Sequence, residues 1–374
     1  MKEKDAIQRG DGLQGISRRD FMKFCSVMAV SLGLPMEMAP RIANAITSPH
    51  RPPVIWLSGQ ACTGCIETTL RANHPTLAHL ILDLISLEYC ETLNAGAGHQ
   101  AEEFLARSIA ENEDKFLLLV DGAIPVKEGG IYCKIAGKTM LDILKETAPK
   151  AAAVISTGSC ASWGGIPSAL PNPTGATPVH KVLEGSGITV VNVPGCPPNS
   201  YNILATILHY LTLKNLPELD HKLRPKFAYG RLIHESCERR SHFDAGRFAE
   251  TFGDEGHRQG YCLYKLGCKG TETFNNCPAV LFCDVGSGAW PVGTGHPCFG
   301  CSEEGVGFFA PLHSPAKPLY VTPPAQFANT KPPESSGATA LAAGVAGAAI
   351  GAAMVAIGIS VGKKKDHGGE NEED

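Results

Sequence analysis

Between His234 and Cys301 the chain carries more soft donor atoms than an ordinary core requires: His234-x-x-Cys237, Cys262, Cys268, Cys277, Cys283 and Cys298-x-x-Cys301. Imidazole and thiolate together are ligands for zinc and for iron–sulfur centres. The intervals are crowded with Gly, Pro and Asn and hold few long apolar runs. A segment so poor in core material is held by metal–ligand bonds, for which binding free energy is folding free energy. His234, Cys237, Cys262 and Cys268 have the composition of a Cys3His zinc site. Cys277, Cys298 and Cys301 form a group of three, with Pro291 in the loop between them. Three thiolates suit a cuboidal cluster that lacks one iron.

Upstream, the elements that would position further thiols are legible in the hydrophobic pattern. Apolar runs at residues 54–57, 84–89, 116–120, 152–157 and 189–193 read as buried parallel strands. Stretches 66–72, 99–113, 138–147 and 199–213 read as helices between them. Strands alternating with helices predict a doubly wound, flavodoxin-like α/β sheet, whose ligands sit beyond the carboxyl ends of the strands. Cys62-Thr63-Gly64-Cys65 follows the first strand, Cys160 the fourth and Cys196 the fifth, so four thiols fall at one edge as a cluster or zinc site. A thioredoxin-like pair at Cys62 and Cys65 would leave Cys160 and Cys196 unexplained. Cys90 and Cys133 read as buried structural thiols. Beyond Arg224 regular structure is sparse, with one helix expected over residues 243–252.

The ends of the chain read as signals. Ser17-Arg18-Arg19-Asp20-Phe21-Met22-Lys23, a weak apolar run and Ala43-Asn44-Ala45 resemble a twin-arginine export signal with its cleavage site, residues 1–45. A proline-rich linker is expected over 315–337. Residues 338–362 carry no charge and are long enough to cross a bilayer once. The lysines that follow place the charged tail, 363–374, in the cytoplasm. The body would then face the periplasm at the inner membrane. A net charge of −4 argues against nucleic acid as partner.

Fourteen cysteines admit disulfides, zinc or iron–sulfur clusters. Four, four and three soft ligands describe three iron–sulfur clusters in series better than three zinc sites. An exported, zinc-stapled binding module is the alternative. The flavin reading of the sheet fails, because cysteines stand where a phosphate loop would be.

The motifs Cys62-Thr63-Gly64-Cys65-x-Glu67, Gly158-Ser159-Cys160-Ala161-Ser162-Trp163-Gly164-Gly165 and Pro194-Gly195-Cys196-Pro197-Pro198-Asn199 come in one order with Gly230-Arg231-Leu232-Ile233-His234-x-x-Cys237 and Gly295-His296-Pro297-Cys298-x-x-Cys301. With the export signal and the tail, the sequence resembles the small subunits of membrane-bound nickel–iron hydrogenases, in particular the hydrogenase-2 type of enterobacterial uptake enzymes. The resemblance implies a flavodoxin-like domain (46–222) and an iron–sulfur domain with little regular structure (223–314). It implies that Cys62, Cys65, Cys160 and Cys196 hold a proximal [4Fe–4S] cluster, and that His234, Cys237, Cys262 and Cys268 hold a distal [4Fe–4S] cluster. Cys277, Cys298 and Cys301 match a medial [3Fe–4S] set, with Pro291 where a fourth cysteine would stand, and Cys283 has no ligand counterpart. The implied role is electron relay from H2 oxidation in a nickel–iron large subunit to a membrane acceptor, ferredoxin-like or cytochrome, within a dimer of heterodimers. No catalytic residue is then expected in this chain. His296-Pro297-Cys298-Phe299-Gly300-Cys301 looks superficially like a nickel-binding pair, but its only possible counterpart, Cys62 and Cys65, is already placed at the sheet edge. Oxygen-tolerant relatives carry two extra cysteines where Gly64 and Gly165 stand here, which implies an ordinary proximal cluster and inactivation by air. Glu67, beside the proximal set, reads as a structural hydrogen-bonding residue or a proton carrier.

Overall fold

The computed structural model describes residues 18–31, 34–46, 51–72, 85–282 and 288–316. Its centre is a five-stranded, all-parallel sheet formed by β1 (Pro53–Ser58), β2 (Ser86–Cys90), β3 (Leu117–Asp121), β4 (Ala153–Thr157) and β5 (Val190–Val193). The spatial order β2-β1-β3-β4-β5 is that of a flavodoxin-like doubly wound sheet. Successive side chains of a strand point to opposite faces, and here both faces are dry. Val54, Trp56, Leu117, Leu119, Ile155, Val191 and Val193 join one core. Ile55, Leu57, Leu118, Val120, Val154 and Val190 join the other. That double burial is why these strands read as continuous apolar runs rather than alternating ones.

Helices cover the two faces. The first core receives α7 (Ser200–Leu213) through Ile203, Leu204, Ile207, Leu208 and Leu211. The second receives α4 (His99–Glu111) through Leu105 and α5 (Met140–Thr147) through Met140, Ile143 and Leu144. Thr139 caps α5 by accepting the Asp142 amide at 3.1 Å, and Asn199 caps α7 by accepting the Tyr201 amide at 3.0 Å. At the N-terminus, α1 (Arg18–Ser31) and α2 (Ala39–Ile46) pair with each other, and α2 packs on α7. Cys25, Met28, Ala29 and Ile42 are thereby buried in the first core.

The lobe after Arg224 has a different build. Its helices, Lys226–Tyr229, Ile233–Ser236, Arg240–Asp244 and Glu255–Arg258, are four or five residues long. The helix expected over 243–252 is not formed. The chain is helical only to Asp244, turns through Gly246 at φ +66°, and then runs extended so that Phe248 bridges Cys262 in parallel. Ala249 is fully buried by that extended course, and its amide donates to Cys262 O at 3.0 Å. Just past that stretch, Asp254 caps the next short helix by accepting the His257 amide at 2.6 Å.

Cys283, most of the proline-rich linker, the expected membrane span 338–362 and the charged tail lie outside the described residues. Among the described residues no helix is long and apolar enough to cross a membrane.

Candidate metal centres

Because the sheet is parallel, β1, β4 and β5 end at the same edge, and the loops leaving them deliver thiols to one place. Cys62 precedes α3 (Gly64–Leu70) and Cys65 lies in its first turn; Cys160 lies in α6 (Gly158–Trp163), which opens directly from β4. Cys196 follows β5. Glycine makes the approach possible. Gly158 has φ +90°, and a Cβ there would stand 2.3 Å from Cys65 Sγ. Gly165 has φ +53°, and a Cβ there would stand 2.6 Å from Cys160 Sγ. Burial, then the Asp121 carboxylate and the neighbouring thiols, push the Cys65 thiol well up, and burial with the Cys196 thiol brings Cys160 to about 12. Cys196 is raised by burial and then by Cys62. Cys65, Cys160 and Cys196, each part-buried and opposed by neighbouring thiols, need a cationic centre beside them if they are to be thiolates together, and Cys62 stands exposed next to them.

Two further groups occupy the second lobe. His234, Cys237, Cys262 and Cys268 bound one small cavity. His234 is fixed by its amide, which donates to Gly270 O at 3.1 Å, and by edge contact with the Phe243 ring at 4.4 Å. Cys237 Sγ accepts the Arg239 amide at 3.4 Å. Arg239 is itself anchored on Val292 O and Tyr261 O, each at 3.0 Å. Burial raises Cys237 to about 11 and Cys262 to about 12.

Cys277, Cys298 and Cys301 line a larger cavity of about 640 Å³ together with Trp290, Pro291 and Cys196. Burial pushes all three thiols up, Cys301 to about 11, with Cys301 opposing the ionisation of Cys277 and Cys196 that of Cys301. Pro291, which cannot ligate, forms part of that wall.

The three groups touch in series. Cys196 shares the cavity wall of Cys301, and Ser159 Oγ ties the two loops by donating to Cys301 O at 2.5 Å and accepting the Gly195 amide at 2.9 Å. At the other junction the Cys298 amide donates to Cys268 Sγ at 3.4 Å. A buried ion-pair network closes the seam between the lobes. Arg224, 1% exposed, donates to Asp220 Oδ2 at 2.8 Å, to Glu303 Oε2 at 2.9 Å and to Ser302 O at 3.2 Å. Lys222 reaches the other Glu303 oxygen at 2.6 Å. Tyr229, under the Arg224 guanidinium, donates to Pro194 O at 2.8 Å beside the Cys196 loop.

Other residues singled out in the sequence lie apart from these groups. Cys90 is fully buried at the end of β2, 3.5 Å from Thr92 Oγ1, and Cys133 is half-buried against the second core. Glu67 is exposed and pairs with Arg71 at 3.9 Å. His296 Nδ1 lies 2.8 Å from Pro297 O.

Sequence reasoning passed over Ser159, Arg224 and Asp121. Asp121 ends β3 fully buried, with Oδ1 accepting Trp56 Nε1 at 3.1 Å and Ser58 Oγ at 2.7 Å, and burial raises its carboxyl. Its signal was available: an acid closing the apolar run Leu117-Leu118-Leu119-Val120, at the edge where the thiols gather.

The donor set fits iron–sulfur clusters. All the described cysteines are free, and eleven soft donors fall into groups of four, four and three. A run of four, four and three donors lying in series suits electron-passing clusters better than separate closed zinc sites.

Comparison with known proteins agrees. Residues 62–210 match the family described as NADH ubiquinone oxidoreductase, 20 Kd subunit. Residues 229–312 match the C-terminal domain of NiFe/NiFeSe hydrogenase small subunits. The hydrogenase-2 small chain of Escherichia coli K12 is 52% identical over 347 residues, 92% of each chain. The periplasmic [NiFe] hydrogenase small subunit 1 of Nitratidesulfovibrio vulgaris is 49% identical over 300 residues, 80% of this chain and 93% of its own. Among solved structures, the [NiFeSe] hydrogenase of Desulfovibrio vulgaris Hildenborough superposes with a TM-score of 0.63 and 38% identity, over 69% of this chain and 95% of that one. Likeness of this extent, spanning both lobes, makes the chain a member of the nickel–iron hydrogenase small-subunit family: an iron–sulfur, electron-transferring subunit that pairs with a large subunit holding the nickel–iron centre.

Proposed function

We propose that this chain relays electrons released by H2 oxidation through three clusters in a fixed order. Cys62, Cys65, Cys160 and Cys196 would hold a proximal [4Fe–4S] cluster, Cys277, Cys298 and Cys301 a medial [3Fe–4S] cluster, and His234, Cys237, Cys262 and Cys268 a distal [4Fe–4S] cluster. The clusters supply one-electron storage at three successive potentials. The protein's part is to fix spacing, burial and hydrogen bonds to sulfur. The observation that carries the reading is the pair of junctions. The first group meets the second where Ser159 ties the Cys196 and Cys301 loops and Cys196 shares the second group's cavity, and the second meets the third where the Cys298 amide donates to Cys268 Sγ.

The medial assignment is supported by Pro291, which walls the cavity where a fourth thiolate would complete a cubane. Gly64 and Gly165 flank proximal sulfurs without offering further thiols, so the enzyme is expected to be inactivated by air. The leader at 1–45 supports twin-arginine export, and the uncharged run at 338–362 supports anchoring from the periplasmic side of the inner membrane with a cytoplasmic C-terminus. Electrons would pass there to a ferredoxin-like or cytochrome partner, in a dimer of heterodimers.

An anaerobically prepared heterodimer tests the assignment. It should carry about eleven irons in this chain, with a three-iron EPR signal in the oxidised state. Cys277→Ser should abolish that signal and leave both four-iron signals in the reduced state. Survival of the three-iron signal in that variant would refute the medial set.

A further inference from the structure

Lys269 follows Cys268 directly, yet its side chain is only 1% exposed. A buried lysine is ordinarily paired with a carboxylate. Here Nζ donates instead to three main-chain carbonyls, Gly267 O at 3.3 Å and Pro311 O and Leu312 O at 2.9 Å each. Carbonyls satisfy the three N–H groups of an ammonium but return no negative charge. Burial holds the ammonium below its ordinary value, countered by Glu272 and, once they are ligand thiolates, by Cys298 and Cys268. Two of these are ligands assigned above, one from the medial set and one from the distal. The main chain of Lys269 is engaged at the same spot: its amide donates to Cys298 O at 2.6 Å, while the Cys298 amide donates to Cys268 Sγ.

We infer that Lys269 is a positioning residue for the medial-to-distal hand-over, whose buried positive charge raises the reduction potential of both adjoining clusters. The inference rests on the cluster assignment proposed above. A fixed cation in a poorly solvated setting stabilises whichever neighbour has gained an electron, and the effect falls with distance. The medial and distal groups share it. The proximal group meets the medial one at the Ser159 junction, in which Lys269 makes no hydrogen bond, and does not share it.

The test is an EPR-monitored redox titration of the intact heterodimer with Lys269→Met, Lys269→Gln and Lys269→Arg. In the two neutral variants the equilibrium constant for reduction should fall about tenfold, about 59 mV for one electron, at the medial and distal signals. The proximal signal should stay in place, and the arginine variant should retain the wild-type values. Gln is included because it can still donate to the carbonyls if Met disturbs folding. A neutral variant with full iron content and wild-type potentials overturns the inference. So do neutral variants that load no iron beside an arginine variant that does, because the ammonium is then structural alone. Ser159→Ala, at the other junction, should leave the distal potential where it is, and a distal shift there equal to that of the neutral variants also counts against Lys269. A wild-type preparation lacking the three signals would instead refute the cluster assignment, before any variant is compared.

Discussion

In the α/β lobe the thiols hang on a frame that has its own cores: Val54, Leu117, Ile155 and Val191 on one face of the sheet, Ile55, Leu118, Val120 and Val154 on the other. In the second lobe the proposed ligands are themselves core residues. Cys277 and Cys298 are buried beside Ile233, Ala249, Leu263, Leu266, Trp290 and Val292, and Cys237 and Cys268 pack against them. The first arrangement needs a metal only for chemistry. The second needs it to be folded, since so small an apolar cluster cannot offset the conformational entropy of a lobe this irregular.

Removing iron separates the two cases and is expected to have the largest effect. After anaerobic chelation, amides of β1, β3 and β4 should keep their protection from hydrogen exchange, while those of residues 229–316 lose theirs. Equal protection in both lobes would mean that the second lobe has a sufficient core of its own, and the contrast drawn above would fall.

The seam between the lobes gives the next effect in size. Arg224, Asp220 and Glu303 are nearly withdrawn from water, and taking one partner from a buried ion pair leaves an uncompensated charge that costs about 3–5 kcal/mol. Arg224→Met should lower the denaturation midpoint accordingly. Arg224→Met combined with Glu303→Gln should recover part of the loss, because the stranded carboxylate is gone. Glu303 also accepts the Phe274 amide at 3.2 Å, so the recovery is incomplete. A double variant no better than the single one would show that the network acts through Ser302 and Phe274 rather than through charge.

The same contrast explains what the amino-acid order discloses. Strands buried on both faces announce themselves as runs such as Phe116-Leu117-Leu118-Leu119-Val120, and their parallel pairing places Cys62, Cys65, Cys160 and Cys196 at one edge without further information. Nothing comparable marks the second lobe. Residues 243–252 have a helix-like composition, but the local preference yields to burial of Phe243 and Ala249 and to the bridge at Cys262. Spacing offered His234, Cys237, Cys262 and Cys268 only as a possible zinc site, and reading them as an iron–sulfur ligand set depended on family likeness, because spacing alone does not say which metal an irregular chain holds. Supporting residues were hidden for another reason. Ser159 and Arg224 act on partners 142 and 79 positions away, and no local pattern reports contacts of that range.

The smallest effect concerns pH and belongs to the self-sufficient lobe. His209, on the buried side of α7, has its imidazole held below the ordinary value by burial, opposed in part by the contact of Nδ1 with Asn215 O at 3.2 Å. The carbonyl can only accept, so Nδ1 carries the proton and the folded ring is neutral. The unfolded chain takes up a proton near pH 6.5 and the folded one only at lower pH. The stabilisation is therefore complete above about pH 6.5 and declines as pH falls through the folded value. His209→Gln, which keeps a donor for Asn215 but does not titrate, should flatten the fall in urea midpoint between pH 8 and pH 5.5. It should do so equally before and after iron removal, because α7 packs in a core that the clusters do not support. A flattening seen only in the iron-loaded protein would tie α7 to the metal and erase the distinction between the lobes.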